Sequence, residues 1–146
     1  MRQYVLDANI LFSGVISQRP IYRAMFGEHL FYTPDFLLAE LNEYRKIFLK
    51  KSAVKGIDLK EFTLFLFSKI IVVPDPIITE DAYRIAEAPV VDIDPKEVAH
   101  VALSEELGET LLTWDKVLYD GLQAKGYTRI KLFNDFITEQ LTGGEL

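Results

Sequence analysis

The stretch MRQYVLDANILFSGVIS, residues 1–17, changes abruptly from apolar to polar inside an otherwise core-forming segment. The apolar run over 4–6 predicts a short buried strand, and this run stops at Asp7. Asn9 follows two residues later, and a second apolar run predicts a helix over 9–16. The pattern therefore predicts a strand that ends in an acid and is followed directly by a helix.

Strands and helices continue to alternate along the rest of the chain. Because strands that alternate with helices form parallel sheets covered on both faces, we expect an α/β fold. The expected architecture is a three-layer α/β/α sandwich with a mostly parallel, about five-stranded central sheet. Residues 1–142 are expected to form a single domain, followed by a flexible tail over 143–146. The predicted strands are RQYVLD (2–7), LFYTP (30–34), IIVV (70–73), TLLTWD (110–115) and RIKLF (129–133); the predicted helices cover 9–16, 20–27, 34–51, 58–69, 79–88, 94–107, 116–126 and 134–141.

Residues with strong end preferences support several of these helix boundaries. Thr79, Asp94 and Asn134 are predicted N-caps, since their side chains accept hydrogen bonds from free N–H groups. Asp58 is predicted to cap the helix over 58–69 in the same way. Gly108 is predicted to end the helix that contains Glu97.

The composition excludes some classes of protein and constrains the partners. The chain has 146 residues, no cysteine and a formal net charge of −6, so disulfide frameworks and thiolate chemistry are excluded. No apolar stretch approaches the roughly 20 residues of a membrane span, and Asp7 interrupts the start too early for a signal peptide. We therefore expect a soluble cytoplasmic protein without a membrane partner. Because nucleic-acid-binding proteins are usually basic, an RNA substrate would need local basic patches or metal ions.

Two of the predicted parallel strands end in aspartate, at Asp7 and Asp115. Ligands bind outside the carboxyl ends of such strands, although either residue alone could simply cap the following helix. Asn9 and Thr113 each lie two residues from one of these acids, which puts a second polar group on the same side of the backbone. The strand ends are therefore candidates for a polar site.

Two further acids, Glu40 and Glu97, lie near the starts of predicted helices. A helix-start acid, or a capping box begun by Asp94, explains each of them individually. Four carboxylates that met in one pocket would repel one another unless cations lay between them. Mg²⁺ and Mn²⁺ prefer carboxylate oxygens, and such ions can activate water for phosphodiester cleavage.

In this order and on this alternation of elements, the motifs resemble the PIN domain over nearly the whole chain. The 18 residues from Glu97 to Asp115 match the spacing of the family's third and fourth acids. The motifs that carry the resemblance are Asp7-x-Asn9, Pro34 followed by Glu40, Glu97 followed by VALS, and Thr113-x-Asp115-Lys116.

The resemblance implies a metal-dependent endoribonuclease, and many members of the family are toxins of toxin–antitoxin pairs. It implies an RNA substrate, Mg²⁺ or Mn²⁺ as cofactor, an antitoxin protein as a possible partner, and a homodimer. It also implies that Asn9 and Thr113 fix the orientation of the ligating carboxylates. The catalytic and metal-binding residues that it implies are Asp7, Glu40, Glu97 and Asp115.

One departure from the family pattern leaves two questions open. The third acid is usually aspartate, whereas this chain has Glu97, with Asp94 just upstream as an accessory acid or a replacement. The alternative function is therefore a PIN-like module with weak or no catalysis that binds RNA or a protein partner. His100, three residues after Glu97, is interpreted as a helix residue near the core, and Trp114 as a core or interface residue. The basic run over 45–55 is interpreted mainly as a solvated helix end.

Overall fold

The computed structural model describes residues 2–17, 19–37, 39, 40, 43, 47, 50 and 59–142. Three predictions lie outside these residues: the tail over 143–146, the N-cap Asp58, and the basic run apart from Lys50.

Five parallel strands form one sheet at the centre of the described part of the chain. The strands are β1 (Gln3–Leu6), β2 (Leu30–Pro34), β3 (Ile70–Val73), β4 (Thr110–Thr113) and β5 (Ile130–Leu132). Their order across the sheet is β3-β2-β1-β4-β5, and neighbouring strands are parallel throughout. β1 is therefore central, with Val5 beside Tyr32 of β2 and beside Leu111 of β4.

Helices connect these strands and cover the sheet. They are α1 (Ala8–Ser17), α2 (Pro20–Glu28), α3 (Leu59–Ser68), α4 (Glu80–Val90), α5 (Val98–Leu107), α6 (Lys116–Ala124) and α7 (Phe133–Leu141). The described residues between 37 and 50 are also helical, and short 3₁₀ turns cover Asp75–Ile77 and Pro95–Glu97. Within the described ranges, no helix combines the length and the apolar character needed to span a bilayer.

Two apolar cores lie on opposite faces of the sheet, because consecutive strand residues point to opposite sides. Tyr4 and Leu6 of β1 pack with α1, α2 and α7 on one face. Val5 packs with α4, α5 and α6 on the other face. The predicted three-layer α/β/α architecture is therefore confirmed.

Some helix ends follow the predicted capping residues, and others do not. Thr79 caps α4 by accepting a hydrogen bond from the backbone N–H of Ala82 at 3.2 Å, and Gly108 ends α5 with a φ of 66°. The prediction that Asn134 caps the last helix is wrong, because α7 begins at Phe133 and its N-cap is Leu132. The buried Phe133 side chain belongs to the core, so the chain passes from β5 into α7 without a polar cap.

Candidate active site

The centre of the candidate site lies where β1 and β4 end side by side. Leu6 pairs with Leu112, and the Asp7 backbone N–H donates to the Leu112 carbonyl at 3.2 Å. Asp7 and Thr113 therefore lie next to each other, on the face of the sheet that α5 covers. Only 6% of Asp7 is exposed, so the sheet presents a carboxylate that is almost entirely removed from water.

Two neighbouring groups fix the Asp7 carboxylate. The backbone N–H of Asn9, in the first turn of α1, donates to Asp7 Oδ1 at 2.9 Å. The Thr113 hydroxyl donates to Asp7 Oδ2 at 3.4 Å and accepts from the Asp115 backbone N–H at 3.0 Å. Asn9 thus holds Asp7 through its main chain, while its exposed side chain lines the adjacent cavity.

A cavity of about 710 Å³ opens beside Asp7, and two further acids that the sequence predicted for the site line it. Glu40 comes from the helical segment that follows β2, and Glu97 from the 3₁₀ turn that precedes α5. The sequence-predicted acids Asp7, Glu40 and Glu97 are therefore brought together. Other lining residues include Phe36, Glu43, Tyr83, Lys96 and His100.

His100 is the residue of this cavity whose importance the sequence did not reveal. Its side chain is 3% exposed, and its Nδ1 lies 3.0 Å from Oε2 of Glu97. Phe36 meets the imidazole edge-on, with ring centroids 5.0 Å apart. The prediction of a helix residue near the core describes its burial, but the Glu97-x-x-His100 spacing was the available signal for a site residue.

Electrostatics in the cavity disfavour charge on Asp7 and Glu40. Burial raises the pKa of Asp7, and Glu97 raises it further, while His100 and the Asn9 and Thr113 hydrogen bonds oppose the shift. Burial, together with Asp7, Glu97 and Glu43, also raises the pKa of Glu40. Such a cluster favours a compensating cation.

His100 experiences the opposite electrostatic influence from the same carboxylates. Burial alone would lower its pKa, but Glu97, Asp7 and Glu40 outweigh burial, so the pKa of His100 is raised. The three acids therefore favour the imidazolium form of His100 more than burial disfavours it.

The remaining two predicted acids serve as helix caps. Asp115 Oδ1 accepts from the Leu118 backbone N–H at 3.0 Å at the start of α6, and Asp115 does not line the cavity. Asp94 Oδ1 accepts from the Lys96 backbone N–H at 3.1 Å and caps the turn Pro95–Glu97. Asp115 is nevertheless linked to Asp7 through the Thr113 hydroxyl, whereas Asp94 has no such link among the contacts of the described residues.

The donors in the cavity suit a divalent cation, although they are not yet arranged around one. Glu40 Oε1, Glu97 Oε2 and both ring nitrogens of His100 are buried without a satisfied hydrogen bond. Buried polar atoms normally have partners, so these atoms are available to a ligand. In the part of the chain that the structure describes, no group of three or more His, Asp or Glu residues is spaced as a finished metal cage. An ion would therefore have to draw the side chains closer together.

Comparisons with known proteins agree with this fold. A sequence profile described as the PIN domain matches residues 5–134, which is most of the chain. A search of curated proteins gave no match. The solved structures include a similar chain in VapBC2 from Rickettsia felis bound to a DNA fragment from their promoter, with a TM-score of 0.61 and 12% identity. That similarity covers 89% of this chain and 98% of the other, and at this identity it establishes the fold alone.

Proposed function

We propose, from the fact that this chain belongs to the PIN domain family, that it is a metal-dependent endoribonuclease that hydrolyses RNA phosphodiester bonds. One observation carries the proposal: Asp7, Glu40 and Glu97 come from distant parts of the chain and meet in one cavity at the carboxyl edge of the sheet. Buried carboxylates that repel one another are an arrangement that a divalent cation stabilises.

The three acids would supply the negative charge that holds Mg²⁺ or Mn²⁺. A divalent cation in such a site activates water and stabilises the leaving oxygen during phosphodiester cleavage. Thr113 and the Asn9 N–H orient Asp7, and fixed carboxylate orientation is what such outer contacts provide in metal sites. Asp115 would act from outside the cavity, since only its Oδ1 is committed to the helix cap in the described contacts.

The substrate-facing walls of the cavity suit a polynucleotide. Phe36 and Tyr83 are aromatic lining residues, and bases stack on such rings. Lys96 is exposed and lines the same cavity, so its ammonium group can meet a phosphate. With a formal charge of −6, the protein would depend on this local cation and on bound metal for RNA binding.

The decisive experiment incubates the protein with single-stranded RNA and Mn²⁺, with and without EDTA. We expect cleavage that EDTA and Asp7→Asn abolish, whereas Asp81→Asn, at an exposed aspartate paired with Arg84, retains it. RNA binding without cleavage under every metal condition would instead support the alternative module with weak or no catalysis. Hydrolysis of a phosphomonoester and not of RNA would make the protein a small-substrate phosphatase.

We also propose that the protein is a cytoplasmic toxin that an antitoxin neutralises and that it forms a homodimer. The support is family membership and similarity of fold to a chain of VapBC2. Expression in a bacterial host should arrest growth, and the Asp7→Asn variant should not. Light scattering on the purified protein measures its oligomeric state, and a monomeric mass would exclude the homodimer.

A further inference from the structure

His100 differs from the other buried histidine of this chain in how its nitrogens are satisfied. His29 is 7% exposed; its Nδ1 accepts from the Arg2 backbone N–H at 3.3 Å, and its Nε2 pairs with Gln140 at 3.0 Å. His100 is more deeply buried, yet neither of its nitrogens has a satisfied hydrogen bond in the described structure. His29 is thus a structural histidine, and His100 needs another explanation.

The contact with Glu97 determines which nitrogen of His100 is available. Nδ1 lies 3.0 Å from Glu97 Oε2, which is a hydrogen-bond distance, and only the alignment falls short. A carboxylate oxygen accepts, so the neutral ring that suits this contact carries its proton on Nδ1. The lone pair of Nε2 is then free, and it is buried beside an acidic cavity that His100 itself lines.

We propose that Nε2 of His100 binds the divalent cation directly, beside the carboxylates of Asp7 and Glu40, and that Glu97 holds the imidazole in place. Metal-bound histidines usually donate their other N–H to a carboxylate, and the Glu97–His100 pair has this form. This inference rests on the proposed function only in requiring that the cavity takes a divalent cation.

The assignment gives Glu97 a different role from that of Asp7. The side chain of Glu97 is 15% exposed and approaches His100 across one helical turn, i to i+3. Its additional methylene group, compared with aspartate, lets the carboxylate reach back to the ring. The glutamate at this position is therefore explained by the histidine three residues later.

A nitrogen donor changes which ions the site prefers. Mg²⁺ favours oxygen ligands, whereas imidazole suits the later first-row ions, whose affinity rises from Mn²⁺ to Co²⁺ and Ni²⁺. The site should therefore bind Co²⁺ and Ni²⁺ in clear preference to Mg²⁺, with the affinity for Mn²⁺ between them. A site made of carboxylates alone would discriminate less between these ions.

Pulsed electron paramagnetic resonance on the Mn²⁺-loaded full chain tests the inference without any RNA. We expect the spectrum to show a coupling between a nitrogen nucleus and Mn²⁺. This coupling should disappear in His100→Gln and persist in His29→Gln, the matched buried control. Calorimetry should show Mn²⁺ affinity falling about tenfold or more in Glu97→Gln, which is the size of effect that outer partners of ligands produce. The fall in His100→Gln, which removes the ligand itself, should be at least as large.

The outcomes separate this inference from the proposed function. Tight Mn²⁺ binding with no nitrogen coupling in the wild-type protein would overturn the histidine ligand, whatever happens to RNA. Nitrogen-coupled Mn²⁺ with no RNA cleavage would support the ligand and contradict the nuclease. Absence of any Mn²⁺ binding would overturn both. The wild-type spectrum keeps the inference testable even if His100→Gln fails to fold.

Discussion

At the scale of single residues, the cavity combines a buried carboxylate, that of Asp7, with a buried imidazole, that of His100. Asp7 was recognisable because a polar residue ends an apolar strand, and the structure buries it at the predicted sheet edge. His100 was interpreted as a core residue, since a single histidine on a mostly buried helix usually is one and one Glu97-x-x-His100 spacing is a weak signal for a site. Its contact with Glu97 depends on the 3₁₀ turn before α5, which capping rules did not predict.

Asp7→Asn should abolish cleavage and yet stabilise the metal-free protein. Burial raises the pKa of Asp7, so the ionised side chain destabilises the folded state at neutral pH. An amide oxygen can still accept from the Asn9 N–H without the charge. We expect cleavage to fall by about a hundredfold or more. In EDTA, differential scanning calorimetry should show a higher Tm, by about 2–4 °C for each kcal/mol regained.

The exposed variant Asp81→Asn controls for the loss of one carboxylate elsewhere on the surface. It should leave both the Tm and the cleavage rate near the wild-type values. A lower Tm for metal-free Asp7→Asn would contradict the view that the buried charge is unfavourable.

The stability of the metal-free protein should decrease as the pH rises. Asp7 and Glu40 have pKa values raised from 3.8 and 4.5, so the folded state binds more protons than the unfolded chain above those values. His100 has a pKa raised from 6.5, so its contribution is present below pH 6.5 and is lost as the pH rises through its folded pKa. All three raised pKa values therefore lower the free energy of unfolding as the pH rises.

Urea unfolding in EDTA between pH 5 and pH 8 measures this dependence, about one pH unit at a time. Other groups titrate as well, so the relevant quantity is the difference between the wild type and the double variant Asp7→Asn, Glu40→Gln. The wild type should lose more free energy of unfolding with rising pH than the variant does. If the free energy of unfolding fell equally with pH in both proteins, the acids of the cavity would not control the pH dependence of stability.

At the scale of elements, local patterns predicted strands better than helix starts. The predicted strands over 30–34 and 70–73 match β2 and β3, because short apolar runs between turn residues leave little freedom in register. The start of α7 was mispredicted, since packing of Phe133 in the core overrides the capping preference of Asn134. Tertiary packing of this kind is not visible in a local window.

Substitutions of Asp115 can distinguish its role as the N-cap of α6 from a role of its charge in cleavage. Its Oδ1 caps α6 through the Leu118 N–H, and asparagine is as good an N-cap as aspartate. Asp115→Asn should therefore keep the free energy of unfolding while it lowers the cleavage rate, because only the charge is lost. Asp115→Ala should lower both, with a cost of about 1 kcal/mol for the missing cap.

Asp120→Asn is the matched control, because it removes an exposed carboxylate from the same helix, where Asp120 pairs with Lys116. Its cleavage rate and its stability should stay close to those of the wild type. Wild-type cleavage by Asp115→Asn would limit Asp115 to the capping role that the structure already shows.

At the scale of the whole molecule, the strand order explains how distant acids meet. Alternation of strands and helices predicted the parallel sheet, but the order β3-β2-β1-β4-β5 did not follow from the sequence. This order makes β1 central, so Asp7 lies between the segments that follow β2 and β4. The chain connections that follow β2 and β3 then bring Glu40 and Glu97 to the same edge.

A cation that binds in this cavity should stabilise the entire fold, because the unfolded chain separates these acids again. At a free Mn²⁺ concentration of about 100 times Kd, the gain is about 2.7 kcal/mol. For a chain of this size, that gain corresponds to a rise in Tm of about 5–10 °C. Thermal unfolding with increasing Mn²⁺ measures the rise, and excess EDTA should reverse it.

The double variant Asp7→Asn, Glu40→Gln should show little of this Mn²⁺-dependent rise, even though its metal-free Tm is expected to exceed that of the wild type. The Tm values of the wild type and the double variant should therefore converge as the Mn²⁺ concentration increases. The negative charges that repel one another in the metal-free fold are the same charges that bind the ion. An equal rise in the variant would place the stabilising ion elsewhere on a surface that carries a net charge of −6. Convergence of the curves would link the low stability of the metal-free cavity directly to its affinity for a cation.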